Sequence, residues 1–417
     1  MNKRQLSSFS LLLMLCLLLA NVARAGAQYG GYFSQGLVYS PDNPFYDNST
    51  GTSLDYRELG LTGGWQVNTD LRFAGQFLSR KVGDLDDGSP QIDFLLMDYS
   101  FLSLDDVSAG IRVGRVKTPY GIYNRTRDVP HARPGVFVPQ SVYFETFRDA
   151  LLSADGGNLY LNLRCCWGDL GIDLIAGTAH IDNNVVEYQA YQQNINGRFE
   201  EVDISGFKIA YSPAVLSNLN IGFSLLDVST ELDNAARIST AELQAGVSDL
   251  LDNPQNFVHY ITATRIEPML KLFSLQYNWR NWVFTSEYLE VAIKMSDLEV
   301  LYFPLEAVSA NLQGYYAQTE WMPSDKLSLY ARYEHLVYDT GDRDGEAFAV
   351  QTGGNPVTQY NEAVTVGARW YFNPDFSLTG EWSWNQGAAF INGPDNIDYQ
   401  ALQEDWDFLV LQLSYHF

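Results

Sequence analysis

A strict alternation of apolar and polar residues constrains this chain most, and it continues to the last residue. It is clearest at 327–334, 364–372 and 376–385, and it also occurs at 71–77. Successive side chains of a β-strand point to opposite faces, so a period of two predicts strands with one apolar and one polar face. The chain after the N-terminal region has no apolar run of the roughly 18 residues that a membrane helix needs, which excludes a helical membrane protein.

The connections between these strands alternate between short and long. Short turns are expected near 66–68, 103–106, 165–168, 213–217, 279–280, 323–324 and 373–375. Long polar loops are expected near 41–52, 81–90, 119–152, 181–197, 231–255, 295–309, 339–358 and 389–402. This layout predicts an all-β transmembrane antiparallel barrel of sixteen strands, with short periplasmic turns and long external loops. Pro268 interrupts the tenth strand, at about 257–278, so fourteen or eighteen strands remain alternatives.

The N-terminus is typical of a secretory signal at residues 1–25. Lys3 and Arg4 precede an apolar stretch at 11–20, and Ala23-Arg24-Ala25 has the small residues of a cleavage site. We expect the signal to be cleaved, and an uncleaved anchor is the alternative. Residues 26–417 then form a single barrel domain.

Tryptophans and the final residue support a barrel in an outer membrane. Six of the nine tryptophans lie at or beside predicted short turns, as expected for an aromatic girdle: Trp65, Trp167, Trp279, Trp282, Trp321 and Trp370. The last strand alternates from Leu409 to the terminal Phe417.

Charge and cysteine content exclude other classes. The chain has 26 Lys+Arg against 50 Asp+Glu, a net charge of −24, whereas a nucleic-acid binder needs a basic surface. Three cysteines do not make a disulfide scaffold. Cys165 and Cys166 form either a strained vicinal disulfide or two free thiols.

These features together resemble a Gram-negative outer-membrane porin, over the whole chain after residue 25. The resemblance implies a homotrimeric barrel in outer-membrane lipid and lipopolysaccharide, with an inward loop that narrows the pore. It also implies that the barrel-assembly machinery reads Phe417. Residues 114–121 are similar to the strand end before the constriction loop of phosphate-selective and related porins. Residues 124–130 and 139–141 resemble porin-like proteins of marine gammaproteobacteria.

The connection 119–152 is the longest, and it holds the candidate constriction. From Arg115 to Ala150 the chain has six basic and three acidic residues. The candidate constriction residues are Lys117, Arg125, Arg127, Arg133, Arg148, Asp128, Glu145 and Asp149. A basic segment inside the lumen would favour small anions. Alternatively, these arginines pair with carboxylates and hold the loop in place.

The remaining lumen is predicted to be mixed in charge, so selectivity should be weak. Strand parity turns these residues inward: Arg72, Arg112, Arg164, Lys208, Arg332, Arg369, Asp98, Glu320, Glu334 and Glu381. Arg115 and Lys117 instead share parity with outward-facing residues, which weakens their assignment to the pore. The aromatic residues of the loop either pack it against the wall or form a slide for sugars.

Three smaller features concern the external loops. Ser239-Thr240-Ala241-Glu242 is a capping box, so a helix is expected there. Acidic loops, around Asp84 and around Asp339 to Glu346, would bridge to lipopolysaccharide through divalent cations or stay solvated. The five histidines are scattered, and no metal or other cofactor is expected.

The function predicted is passive diffusion of small hydrophilic solutes and ions, with a weak anion preference. The alternative is a non-conducting structural or receptor barrel. An outer-membrane enzyme ranks lower, because the sequence has no G-x-S-x-G motif around a serine nucleophile.

Overall fold

The computed structural model describes residues 26–46, 49–83, 85–181, 195, 197–199, 201–232, 240–391 and 398–417. The signal region at 1–25 lies outside these ranges, as does Asp84. The strands are β1 (Ala27–Tyr39), β2 (Ser53–Gln66), β3 (Leu71–Val82), β4 (Asp86–Ser103), β5 (Val107–Lys117), β6 (Ser153–Cys165), β7 (Gly168–His180), β8 (Glu201–Pro213), β9 (Leu219–Glu231), β10 (Ile261–Trp279), β11 (Trp282–Val300), β12 (Phe303–Pro304), β13 (Val308–Ser324), β14 (Leu327–Val337), β15 (Tyr360–Tyr371), β16 (Phe376–Gln386) and β17 (Asp405–His416).

The strands form one closed antiparallel sheet. Each strand pairs with its neighbour in sequence, and β1 pairs with β17 from Tyr32↔His416 to Tyr39↔Leu409, which closes the barrel. β12 has only two residues and lies in a loop, while β11 pairs directly with β13. Sixteen strands therefore form the wall, which confirms the predicted fold. Pro268 is accommodated in β10 opposite Ile293.

The seven short turns lie close to their predicted positions, between β2 and β3, β4 and β5, β6 and β7, β8 and β9, β10 and β11, β13 and β14, and β15 and β16. Two predicted long loops are shorter than expected. β3 and β4 continue to Val82 and Asp86, so 81–90 is mostly strand, and only 301–307 separates β11 from β13. The ends of β3 and β4 in this region are rich in polar residues on both faces, which hides the period of two there.

The two faces of the wall differ as the alternation predicts. Outward apolar residues are exposed around the barrel, for example Phe73, Leu174 and Val364. The tryptophans beside the short turns are largely exposed too, consistent with a girdle facing lipid. Inward aromatic rings lie flat on glycines of neighbouring strands, where a Cβ would overlap the ring: Tyr32 on Gly60 and Tyr330 on Gly367.

Among the described residues, three α-helices belong to the connections between strands: α1 (Arg148–Leu152), α2 (Thr240–Asp252) and α3 (Glu346–Thr352). α2 occupies the position that the capping box predicted, although Ser239 lies outside the described residues. No helix within the described ranges is long and apolar enough to cross a membrane. Cys165 and Cys166 are free thiols.

Candidate functional site

The segment 118–152, called the inner loop, folds into the barrel between β5 and β6 and is tied to several strands. The backbone N–H of Ile122 donates to Glu287 on β11 over 2.9 Å. Further along, the N–H of Phe137 donates to Glu381 on β16 over 3.0 Å. Lys208 on β8 donates to the carbonyl of Gly121. The loop therefore spans the interior from one side of the wall to the other.

Three of the candidate constriction arginines are buried in ion pairs. Arg127 contacts Glu145 at 2.9 Å, and Arg133 contacts Glu58 on β2 at 2.6 Å. Arg148 pairs with Asp128. The side chains of these arginines are at most 5% exposed, so they hold the loop together and do not face a water-filled passage. The structure thus favours the second of the two sequence interpretations for them.

The same network reaches the wall through Arg80 and Lys117. Arg80 on β3 pairs with Glu145 and, at 2.5 Å, with Asp86. Lys117 Nζ lies 2.5 Å from carboxylate oxygens of both Asp93 and Asp128. Strand parity had weakened the assignment of Lys117 to the interior. The residue ends β5, and its long side chain reaches the buried Asp128 of the inner loop.

Burial and neighbouring charges act in opposite directions on the loop carboxylates. Burial alone would raise the pKa of Glu145, but Arg80, Arg127 and Arg148 outweigh it and lower that pKa to about 2. Burial would likewise raise the pKa of Asp128, but Arg148 and Lys117 outweigh this effect and hold that pKa well below its usual range. Both carboxylates are therefore ionised at neutral pH. Asp149, the third carboxylate of the loop, is half exposed, and its ion-pair partner among the described residues is Arg148.

The predicted lumen residues of β14–β16 face inward but are covered by the inner loop. Arg332 lies 2.8 Å from Glu334 and donates to the carbonyl of Phe137. Arg369 donates to the carbonyl of Pro130 over 2.9 Å. Arg332, Arg369, Glu334 and Glu381 are all buried, so they do not line an aqueous passage as their parity alone suggested.

The inner loop also reaches close to the end of the barrel where the short turns lie. His131 stacks on His416, the last residue of β17, with ring centroids 4.3 Å apart. Partial burial, the neighbouring His416 and Arg369 lower the pKa of His131 to about 4. No sequence pattern relates these two histidines.

In the half of the barrel towards the long loops, inward positions of β7–β11 are aliphatic. The buried inward residues there include Ile175, Ile204, Leu226, Leu272 and Leu289. They belong to one cluster with Tyr120, Val142 and Leu151 of the inner loop. Each such side chain contributes about 1.5–3 kcal/mol on burial, so this half is packed as a core.

The opposite arrangement occurs on β3–β8 towards the short turns, where inward charges stay accessible to water. Arg112 is 27% exposed and Arg125 is 38% exposed, while Arg72 is exposed as well. Asp98 and Asp173 are partly exposed. Farther towards the rim, Arg164 and Asp169 are largely exposed.

Strand register explains how these charges meet. Arg72 lies opposite Asp98, and Asp98 lies opposite Arg112. Farther around the barrel, Asp173 on β7 lies opposite Lys208 on β8. Cross-strand partners are about 5 Å apart, so β3–β8 carry a belt of alternating charge, which we call the charged belt (Arg72, Asp98, Arg112, Asp173 and Lys208).

Several residues of the site were not among the sequence candidates. Glu58, Arg80 and Glu287 face inward and each binds the inner loop. Their parity within β2, β3 and β11 could have revealed them. Asp173 could have been found in the same way, since it alternates with Leu170, Ile172 and Leu174. Within the described ranges no cluster of three or more metal-binding side chains occurs.

No family model and no curated protein matches the sequence. Solved outer-membrane structures do match the fold. An anion-selective porin from Comamonas acidovorans has a TM-score of 0.54 at 11% identity, over 94% of this chain and 99% of that one. OmpT, an outer-membrane protein of Vibrio cholerae, has a TM-score of 0.54 at 9% identity, over 94% and 97%. Salmonella typhi OmpF, in a complex with daunomycin, has a TM-score of 0.52 at 15% identity, over 94% and 97%.

Proposed function

We propose that this chain, which is a porin-like outer-membrane β-barrel, conducts small hydrophilic solutes and ions along the inner wall of β3–β8. The observation that carries the proposal is the uneven exposure of interior charges. Arg125 is 38% exposed beside that wall, whereas Arg127, two residues on, is 3% exposed within the loop network. Ions need a polar, hydrated surface, and β3–β8 provide one.

The proposed passage favours anions weakly. Its accessible interior cations are Arg72, Arg112, Arg125, Arg164 and Lys208, against the anions Asp98, Asp169 and Asp173. Five cations against three anions raise the local concentration of anions. One of the structures with the same fold is described as an anion-selective porin, which agrees with this direction.

A non-conducting barrel is the second candidate, and the aliphatic half of the interior favours it. Leu272 and Leu289 of the wall pack with Tyr120 and Leu151 of the inner loop. Moving the loop aside would expose that surface to water at a cost of several kcal/mol. Conduction therefore has to occur with the loop in place.

Planar bilayers distinguish the two candidates. The folded protein is reconstituted from detergent, and current is recorded under a gradient of KCl. The proposal predicts discrete conductance steps and a reversal potential displaced towards that of chloride. The same protein without steps would favour the non-conducting barrel, and a potential displaced towards potassium would refute the electrostatics of β3–β8.

We further propose a homotrimer in outer-membrane lipid. One of the matched OmpT structures is described as a trimer form. The terminal Phe417 is exposed, and its backbone exchanges hydrogen bonds of 3.0 and 3.1 Å with Gly31 at the closing seam. That position leaves the ring accessible to the assembly machinery.

A further inference from the structure

Two guanidinium groups from different parts of the chain converge on one carboxylate. Arg125 of the inner loop lies 2.7 Å from Oδ1 of Asp173, and Arg112 of β5 lies 3.4 Å from the same atom. Lys208 is the cross-strand partner of Asp173. Two guanidinium groups therefore contact the Asp173 carboxylate, and a third cation lies on the neighbouring strand directly opposite it.

Arg112 and Lys208 keep their positions through contacts that do not involve Asp173. Arg112 stacks over the ring of Tyr160 at 4.2 Å, and its Nη1 donates to Asn158 over 2.7 Å. Its Nε donates to Asp98. Lys208 is held by the carbonyl of Gly121. Removing the Asp173 charge would therefore leave Arg112 and Lys208 in place, and Arg125, whose ion pair is with Asp173, would be free to bind an incoming anion.

We infer that Asp173 is an internal counter-ion that occupies an anion site formed by Arg112, Arg125 and Lys208. The solutes that this site retains are small anions bearing a carboxylate or a phosphate group. Arginine binds both groups with paired hydrogen bonds. A passing anion competes with Asp173 for the guanidinium groups, so the carboxylate keeps binding weak enough for release. This inference rests on the proposed passage along β3–β8.

The test compares Asp173→Asn with Asp169→Asn. Both residues lie on β7 and are inward-facing, but Asp169 is largely exposed and pairs only with Arg164 among the cations of the described residues. Inorganic phosphate is titrated into each folded protein by calorimetry, and reversal potentials are measured in bilayers. Asparagine keeps the shape of the side chain, and the gel mobility of unheated samples verifies the barrel.

Asp173→Asn is expected to bind phosphate about tenfold more tightly than the unaltered protein and to increase the anion-to-cation permeability ratio roughly threefold. Asp169→Asn should change both by much less, and adding Arg125→Gln to Asp173→Asn should abolish the gain. Equal effects of the two asparagine variants would overturn the inference. Calorimetry does not require conduction, so tighter phosphate binding without current would refute the passage alone.

Discussion

At the scale of single residues, the partner decides what an interior charge does. Arg125 and Arg127 have the same charge and lie in the same loop, yet one is exposed beside Asp173 and the other is buried against Glu145. Their local sequence does not separate them. The partners of the buried arginines include Glu58, which is 75 residues from Arg133 in the chain, so only the tertiary fold reveals the pairing.

Glu145 provides a test of the buried network through its pH dependence. Its pKa in the folded protein is about 2, below the value of an unfolded glutamate. The ionised carboxylate thus stabilises the fold above about pH 4.5, and this contribution declines as the pH falls towards 2. We expect Glu145→Gln to reduce the free energy of unfolding by about 3 kcal/mol at pH 7. Urea unfolding followed by tryptophan fluorescence measures this.

The difference between Glu145→Gln and the unaltered protein should shrink between pH 4.5 and pH 2, because the unfolded glutamate binds a proton in this range while the folded protein keeps Glu145 ionised until about pH 2. Asp149→Asn is the matched control, since Asp149 lies in the same loop and is 52% exposed. It should change stability by no more than about 0.5 kcal/mol. A difference for Glu145→Gln that stays constant down to pH 2 would disprove the assignment.

At the scale of elements, the alternation predicted the strands well and their ends poorly. Inside the membrane one face of a strand meets lipid, so the period of two is strong, as at 364–371 in β15. Where β3 and β4 continue beyond that zone, both faces are polar and the pattern disappears. The inner loop has no periodicity. Its position and net charge could be predicted from the sequence, but its contacts could not.

The inner loop packs closely against the wall at Gly314 on β13. A Cβ at this position would overlap the carbonyl oxygen of Ser141 in the inner loop. We expect the methyl group of Gly314→Ala to displace the inner loop from β13 and to lower the free energy of unfolding by about 1–3 kcal/mol. Unfolding in urea measures the change.

Gly63→Ala is the control for this prediction. Gly63 lies on β2, and a Cβ there meets nothing within 4 Å. Stability should therefore stay nearly unchanged in this variant. If the two alanine variants behave alike, the loop does not pack against β13 as described.

At the scale of the whole molecule, the interior is divided between a packed region and a hydrated one. Strand number, closure and short turns could be inferred from the sequence, because each follows from local patterns. The division could not be inferred, because parity turns Arg112 and Arg332 inward alike. Only the path of the inner loop, which covers Arg332 on β14 and leaves Arg112 on β5 accessible, separates them.

Cysteine modification locates the passage most directly. Cys165 and Cys166 are first replaced by serine. Asn162→Cys then introduces a thiol on β6, on the water-accessible inner wall of β3–β8, and Ser377→Cys introduces one on β16, where the inner loop covers the wall. Asn162 is exposed and Ser377 is buried. An anionic methanethiosulfonate reagent is added from the short-turn side during bilayer recording. Current is expected to fall stepwise in Asn162→Cys and to stay unchanged in Ser377→Cys. Block in Ser377→Cys with none in Asn162→Cys would contradict the proposed passage along β3–β8.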